Sequence, residues 1–194
     1  MTMKETNPKD IFEKGLAYLL GEDVELDLLK AQHCFEEAAA EGSIDASHNL
    51  GNMYFYGDIK TDKQKAVTYY RKAADQGHTS AQNAMGHAYW TGEGVEKDEQ
   101  KAFKWYKLSA KGNNSHGQVH LAFCYCLGFG VEMNMHMANF WWFVAARAKN
   151  PQAQIHLGYS YKFGEGVGKD QDTAMKWFRL AAQQGLPAAK CYLH

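Results

Sequence analysis

Residues 81–112, AQNAMGHAYWTGEGVEKDEQKAFKWYKLSAKG, read as one helical hairpin, and the rest of the chain repeats it. Ala81, Met85 and Tyr89 fall four residues apart, which places a small, a bulky and an aromatic side chain on one helical stripe facing a core. Gly92 and Gly94 break this helix. Asp98 then supplies a carboxylate for the free N–H groups of the next first turn. In the second half Ala102, Tyr106, Ser109 and Ala110 recur at i, i+4, i+7 and i+8, a second amphipathic helix.

Outward from this stretch the same columns recur. The turn glycine returns as Gly21, Gly57, Gly92, Gly128 and Gly164, each preceded at three residues by Tyr18, Tyr54, Tyr89, Tyr125 or Tyr161. The cap column is Asp27, Asp62, Asp98, Asn134 and Asp170, all good N-cap residues. Four residues on stand Ala31, Ala66, Ala102, Ala138 and Ala174, and the aromatic of each second helix is Phe35, Tyr70, Tyr106, Trp142 or Phe178. Two helices per repeat at such a spacing predict an all-α solenoid, because one hairpin cannot bury both of its faces alone.

The pattern Leu50-Gly51, Tyr54, Gly57, Asp62, Ala66, Tyr69-Tyr70, Ala73-Ala74 and Gly77 resembles the Sel-one-like repeat (SLR), a relative of the tetratricopeptide repeat. Gly-Glu-Gly-Val at 92–95 and again at 164–167, followed by Lys97-Asp98 and Lys169-Asp170, is the most specific part of the match. The resemblance covers roughly residues 11–194. It implies a right-handed superhelix of five hairpins whose members act in protein–protein interaction and scaffolding, with no shared chemistry. The repeats are placed at about 11–42, 46–77, 81–112, 117–148 and 153–185. A tail at 1–9 precedes a single solenoid domain at 10–194, and a capping helix at 188–194 begins after Pro187.

Composition agrees with a folded protein: of 194 residues, 45% are hydrophobic and 13% aromatic. No run approaches the roughly 20 apolar residues of a membrane span, so no membrane insertion is expected. The charged N-terminus MTMKETNPKDIFEKG lacks the apolar core of a signal peptide, which predicts a cytoplasmic protein. Cys34, Cys124, Cys126 and Cys191 share no column and are read as free thiols. A net charge of −1 excludes a general attraction for nucleic acid. Charge is uneven, however. Repeat one is rich in acids, among them Glu22, Asp23, Glu25 and Asp27, while the second helices of repeats two and three carry Lys63, Lys65, Lys72, Lys101, Lys104 and Lys107.

Two repeats depart from the pattern. Repeat one has Lys14 where the others have Leu50, Met85, Leu121 and Leu157, as suits a terminal unit that meets water on one side. Repeat four has Gly117 for the first alanine, Ala122 for the glycine, and Phe140, Trp141, Trp142 and Phe143 in a row. Four consecutive aromatics cannot share one core, so this outer face is a candidate homo-oligomer contact.

Catalytic and cofactor chemistry finds little support. The turn Gly164-Glu165-Gly166-Val167-Gly168-Lys169 is no phosphate loop, because a helix precedes it and the same turn recurs elsewhere. His116, His120 and Cys124 share one helix face, and His156 takes the column of His120 one repeat on, but other repeats place Asn49 and Ala84 in that column, where hairpins meet. Met133, Met135 and Met137 with His136 form a run of soft ligands, a residue type that also fills irregular gaps. No nucleophile or acid/base pair appears, and neither a cofactor nor an enzymatic activity is expected.

The stronger candidate is a surface. In tetratricopeptide-like solenoids the first helices line the concave side, and the resemblance carries this to His48, Asn52, Phe55 and Tyr56, and to Asn83, His87 and Trp90. Repeat four adds Val119, Phe123, Cys126 and Leu127, and repeat five adds Ile155, Tyr159, Lys162 and Phe163. The set is aromatic, and either it binds a protein or peptide partner or tight curvature fills it from within. Two alternatives stand beside the scaffold reading. One is a bacterial toxin-immunity protein, and the other is a metal- or redox-responsive protein using the Met, His and Cys residues of repeat four.

Overall fold

A computed structural model describes residues 7–57 and 60–192, with eleven helices among them. The chain forms two compact units, Met1–Lys97 and Asp98–His194. The first contains α1 (Pro8–Leu20), α2 (Leu28–Ala40), α3 (Ile44–Tyr56), α4 (Lys63–Ala74) and α5 (Thr79–Thr91). The second contains α6 (Glu99–Lys111), α7 (Ser115–Leu127), α8 (Met135–Arg147), α9 (Pro151–Phe163), α10 (Gln171–Gln183) and α11 (Pro187–Lys190). Within each unit every helix packs on the next in sequence.

The cap column behaves as local chemistry demands. Asp27, Asp62, Asp98, Asn134 and Asp170 hold extended backbone and accept from the N–H three residues on, at 2.9–3.0 Å. The Lys101 N–H holds the Asp98 carboxyl below its ordinary range. Asp98→Ala is expected to lower the melting temperature by about 2–4 °C, while Glu99→Ala beside it, which leaves this bond intact, should change it far less. Equal shifts in a thermal melt would remove the capping explanation.

The stripes are buried as read. Ala81, Met85 and Tyr89 are at most 8% exposed, and Ala102, Tyr106, Ser109 and Ala110 at most 2%. Glycines let the paired helices close on one another, since a methyl on Gly15 would meet the Phe35 ring at 2.7 Å and one on Gly158 would strike Phe178. Lys14 is exposed, as its terminal position implied.

A further column holds neighbouring hairpins together. Gln82, Gln118 and Gln154 are buried, and each side-chain amide donates to the carbonyl of Ala74, Ala110 or Ala146 at the end of the preceding helix, at 3.2–3.4 Å. Ser47 occupies the equivalent place in α3 and bonds back to Ser43 of its own cap.

Two boundaries differ from the sequence reading. Asn7 caps α1, so Pro8 and Lys9 are helical rather than tail; the rest of that tail lies outside the described residues. The last helix is also shorter than 188–194, with α11 ending at Lys190; residues 193 and 194 lie outside the described residues. Proline at its first position favours initiation.

Candidate protein-binding face

In the first unit six of the residues expected to bind, His48, Asn52, Phe55, Tyr56, His87 and Trp90, form one connected network. His48 and Asn52 on α3 both engage Tyr70 of α4: the rings of His48 and Tyr70 lie 6.0 Å apart, and the Tyr70 hydroxyl donates to Asn52 Oδ1 at 2.9 Å. Phe55, on the next turn, touches Tyr70, Tyr56 and His87, and His87 meets Trp90 edge-on at 6.0 Å. Lys63 stands 3.4 Å over the Phe55 ring and pairs with Glu93 at 3.2 Å. Asn83 is half-buried on α5.

Exposure divides this set into floor and edge. Phe55 is only 8% exposed and belongs to the floor, whereas Tyr56 is 74% and Trp90 41% exposed. The 100° step from Tyr89 to Trp90 accounts for the contrast between that pair. Adjacent residues on one helix thus serve core and surface.

His48 is the most perturbed group here. Burial, and then the neighbouring His78, hold it down at about 4, against some help from Asp45. His78 caps α5 by accepting from the Ala81 N–H at 3.1 Å through Nδ1, contacts Asp45 at 3.3 Å through Nε2, and lies 4.4 Å from His48 between ring centres. The groups facing His48 are therefore Asp45 of its own helix, Tyr70 of α4 and His78 at the start of α5. Its folded pKa lies below the unfolded value, so protons favour the unfolded chain, and stability present at neutral pH is lost as pH falls from about 6.5 towards 4. The loss should reach about 3 kcal/mol by pH 4. Urea titrations at neutral pH and in the mid-acid range would measure it, and His48→Asn should flatten the slope. A slope unchanged by that substitution would place its origin elsewhere.

In the second unit Val119 and Ile155, read as groove residues, are core, at 6% and 5% exposure. Phe123 is half-buried, edge-on to Trp142 and His156. Tyr159 and Lys162 are engaged by the chain's own end: Tyr192 stacks on Phe178 at 4.7 Å, lies edge-on to Tyr159 at 5.2 Å, and has the Lys162 ammonium 4.5 Å above its ring. The hydroxyls of Tyr159 and Tyr192 are 3.3 Å apart, and this bond leads the causes that push Tyr159 up to about 12. Tyr192 sits one repeat after His156, which stacks on Trp142 in the same manner. Leu127 and Phe163 remain 67% and 60% exposed, and Cys126 is half-buried.

The metal-capable residues of repeat four are dispersed. His116 is exposed, His120 packs against the Tyr106 ring, and Cys124 is buried in apolar surroundings that push its thiol up to about 12. Met133 is 66% exposed while Met135 packs on the core. Among the described residues no three His, Cys, Asp or Glu side chains converge, and no helix is long and apolar enough to cross a membrane.

Hairpins in series, capped alike and joined by the same buried amides, define a helical repeat protein of the α-solenoid class. The chain belongs to the Sel1 repeat family, whose model matches residues 14–43, 44–78, 79–114, 115–150 and 151–186. Among solved structures it is similar to a protective antigen of uropathogenic Escherichia coli with an SLR fold, at 35% identity and a TM-score of 0.89, over 96% of this chain. It spans 40% of that protein's length. It is also similar to a Sel1 repeat protein of Oxalobacter formigenes, at 30% identity and a TM-score of 0.90, over 96% of this chain and 75% of the other. An immunity protein of Pseudomonas aeruginosa shares the fold at 21% identity and a TM-score of 0.62, over 97% of this chain and 69% of its own. Among curated proteins none matches.

Proposed function

We propose that this protein is a non-enzymatic adaptor that holds a protein or peptide segment on the aromatic face of α3 and α5. The observation that carries the reading is the pairing of Tyr56 and Trp90, both exposed, with a floor of Phe55 and His87 fixed beneath them. Large aromatics with little conformational freedom are the side chains that anchor interfaces. Lys63 and Glu93 at its margin supply one charge of each sign for orienting a backbone or a polar side chain. In the second unit Phe163 and Leu127 offer apolar area, and Tyr192 occupies the place beside Tyr159 and Lys162.

Supporting a scaffold over a catalyst, the half-buried histidines serve packing: His48 lies against Tyr70 and His78, and His156 against Trp142 and Phe123. The setting we propose is the cytoplasm, where the unpaired Cys34, Cys124, Cys126 and Cys191 stay reduced. Recovery of a disulfide from protein alkylated within cells would contradict it. The function itself is tested by panning a displayed peptide library on the purified chain and measuring the enriched peptides by calorimetry. The adaptor reading requires saturable binding that Tyr56→Ala weakens. Peptides that bind Tyr56→Ala and the parent equally would remove the face from consideration.

A further inference from the structure

The outer helices of the second unit carry a patterned surface that the peptide-binding face does not explain. Positions 36 residues apart in α6, α8 and α10 read Lys104, Phe140, Lys176 in one row and Lys107, Phe143, Arg179 in the next. Each phenylalanine of α8 is thus bracketed in register by cations. Phe140 is 53% and Phe143 43% exposed, and Leu108 and Leu180, one position on from the second row, are 48% and 42% exposed. Contact between α8 and α10 is direct, since Phe143 meets the Trp177 ring edge-on at 6.2 Å. Acids on these helices are confined to the first turns, at Glu99 and Asp172. A large exposed apolar patch marks an interaction site, and a cationic frame selects an acidic, apolar occupant.

The same chain carries a segment of that chemistry. Residues 20–29, LGEDVELDLL, join α1 to α2 and expose Leu20, Val24, Leu26 and Leu29 at 40–68%. Interleaved with them are Glu22, Asp23, Glu25 and Asp27 and no base. Lys30, the next residue, is held by Asp27 at 3.1 Å. Four aliphatic side chains among four acids answer an aromatic stripe among four cations.

We propose that the acidic 20–29 ledge of one copy docks on the basic aromatic face of α6, α8 and α10 of a second copy. The contact is heterologous, joining two different patches, so that each copy has one of each to offer. This self-association stands apart from the peptide-binding face and does not depend on it.

Charge exchange tests it by sedimentation velocity on the full chain. The parent, 21.9 kDa as a single chain, should gain mass with concentration at low salt and lose that association at high salt, because exposed charge pairs are screened. Glu22→Lys/Glu25→Lys cancels the charge of the ledge and leaves the basic face intact, and Lys176→Glu/Arg179→Glu cancels the charge of the face and leaves the ledge intact. Each alone should associate at least about tenfold more weakly than the parent. Mixed, they should form a one-to-one complex as tight as the parent contact, since the intact ledge of one variant meets the intact basic face of the other. Phe143→Ser, which leaves all charges in place, should weaken association by itself, and unchanged far-ultraviolet circular dichroism would show that each variant is folded. A parent that stays monomeric at low salt overturns the proposal, as do variants that self-associate like the parent or a mixture that stays apart. A monomeric parent that instead binds vesicles of phosphatidylglycerol through the same lysines would assign the face to a lipid surface and likewise overturn it.

Discussion

Replacing Gly94 with alanine is expected to destabilise the protein by about 3–4 kcal/mol, most of it paid at the backbone of a different hairpin. Gly94 has φ +76°, a left-handed conformation that costs an L-residue roughly 1–2 kcal/mol. A methyl there would overlap the carbonyl oxygen of Lys63 at the start of α4 and reach the Val67 side chain at 3.0 Å. The obstruction is mainly backbone, so no rotamer change relieves it, and forcing helix and turn apart adds about 1–3 kcal/mol. Gly77 is the matched control: its φ is +89° and nothing lies within 4 Å of its added methyl. Gly77→Ala should therefore carry the conformational cost alone. Urea midpoints of the two variants would decide, and equal losses would show that the turn does not press on α4 as described.

The second large effect separates neighbours on one helix. Tyr89 is 8% exposed and its hydroxyl accepts from Arg71 at 2.8 Å, so Tyr89→Ala should remove about 3 kcal/mol of stability. Trp90, 41% exposed, should behave in the opposite way. Trp90→Ala is expected to weaken an enriched peptide by about 2 kcal/mol, roughly thirtyfold, and to leave the melting temperature nearly unchanged. Calorimetry and thermal melts on both variants are sufficient. If Trp90→Ala melts the protein as severely as Tyr89→Ala and spares binding, the tryptophan is core and the adaptor reading fails at its central residue.

What could be read from residues alone depended on how local the physics was. The cap column was legible because a carboxylate and an N–H three residues away lie in one turn, and Asp98 needs nothing distant. The Tyr89 and Trp90 contrast was legible from helical rotation. Phe55, Val119 and Ile155 were harder, because glycines such as Gly51 and Gly158 bring facing helices closer than a stripe of fixed width implies, and residues at its edge are swallowed. The buried amides of Gln82, Gln118 and Gln154 drew no reading from the sequence; their recurrence every 36 residues is the signal that could have singled them out. Tyr192 was read as part of a capping helix at 188–194, whereas it stands beyond the end of α11. Its role comes from standing one period after His156, where an aromatic plate is wanted on Phe178.

That glutamine column bears on how such a chain changes length. Three joints are closed by a donor on the incoming hairpin and a carbonyl on the outgoing one, at Ala74, Ala110 and Ala146 in turn. A duplicated unit therefore arrives with its own fastening and presents a fresh acceptor to whatever follows. Gene-level copying of a hairpin that carries the glutamine brings an amide donor and its carbonyl acceptor together at the new seam.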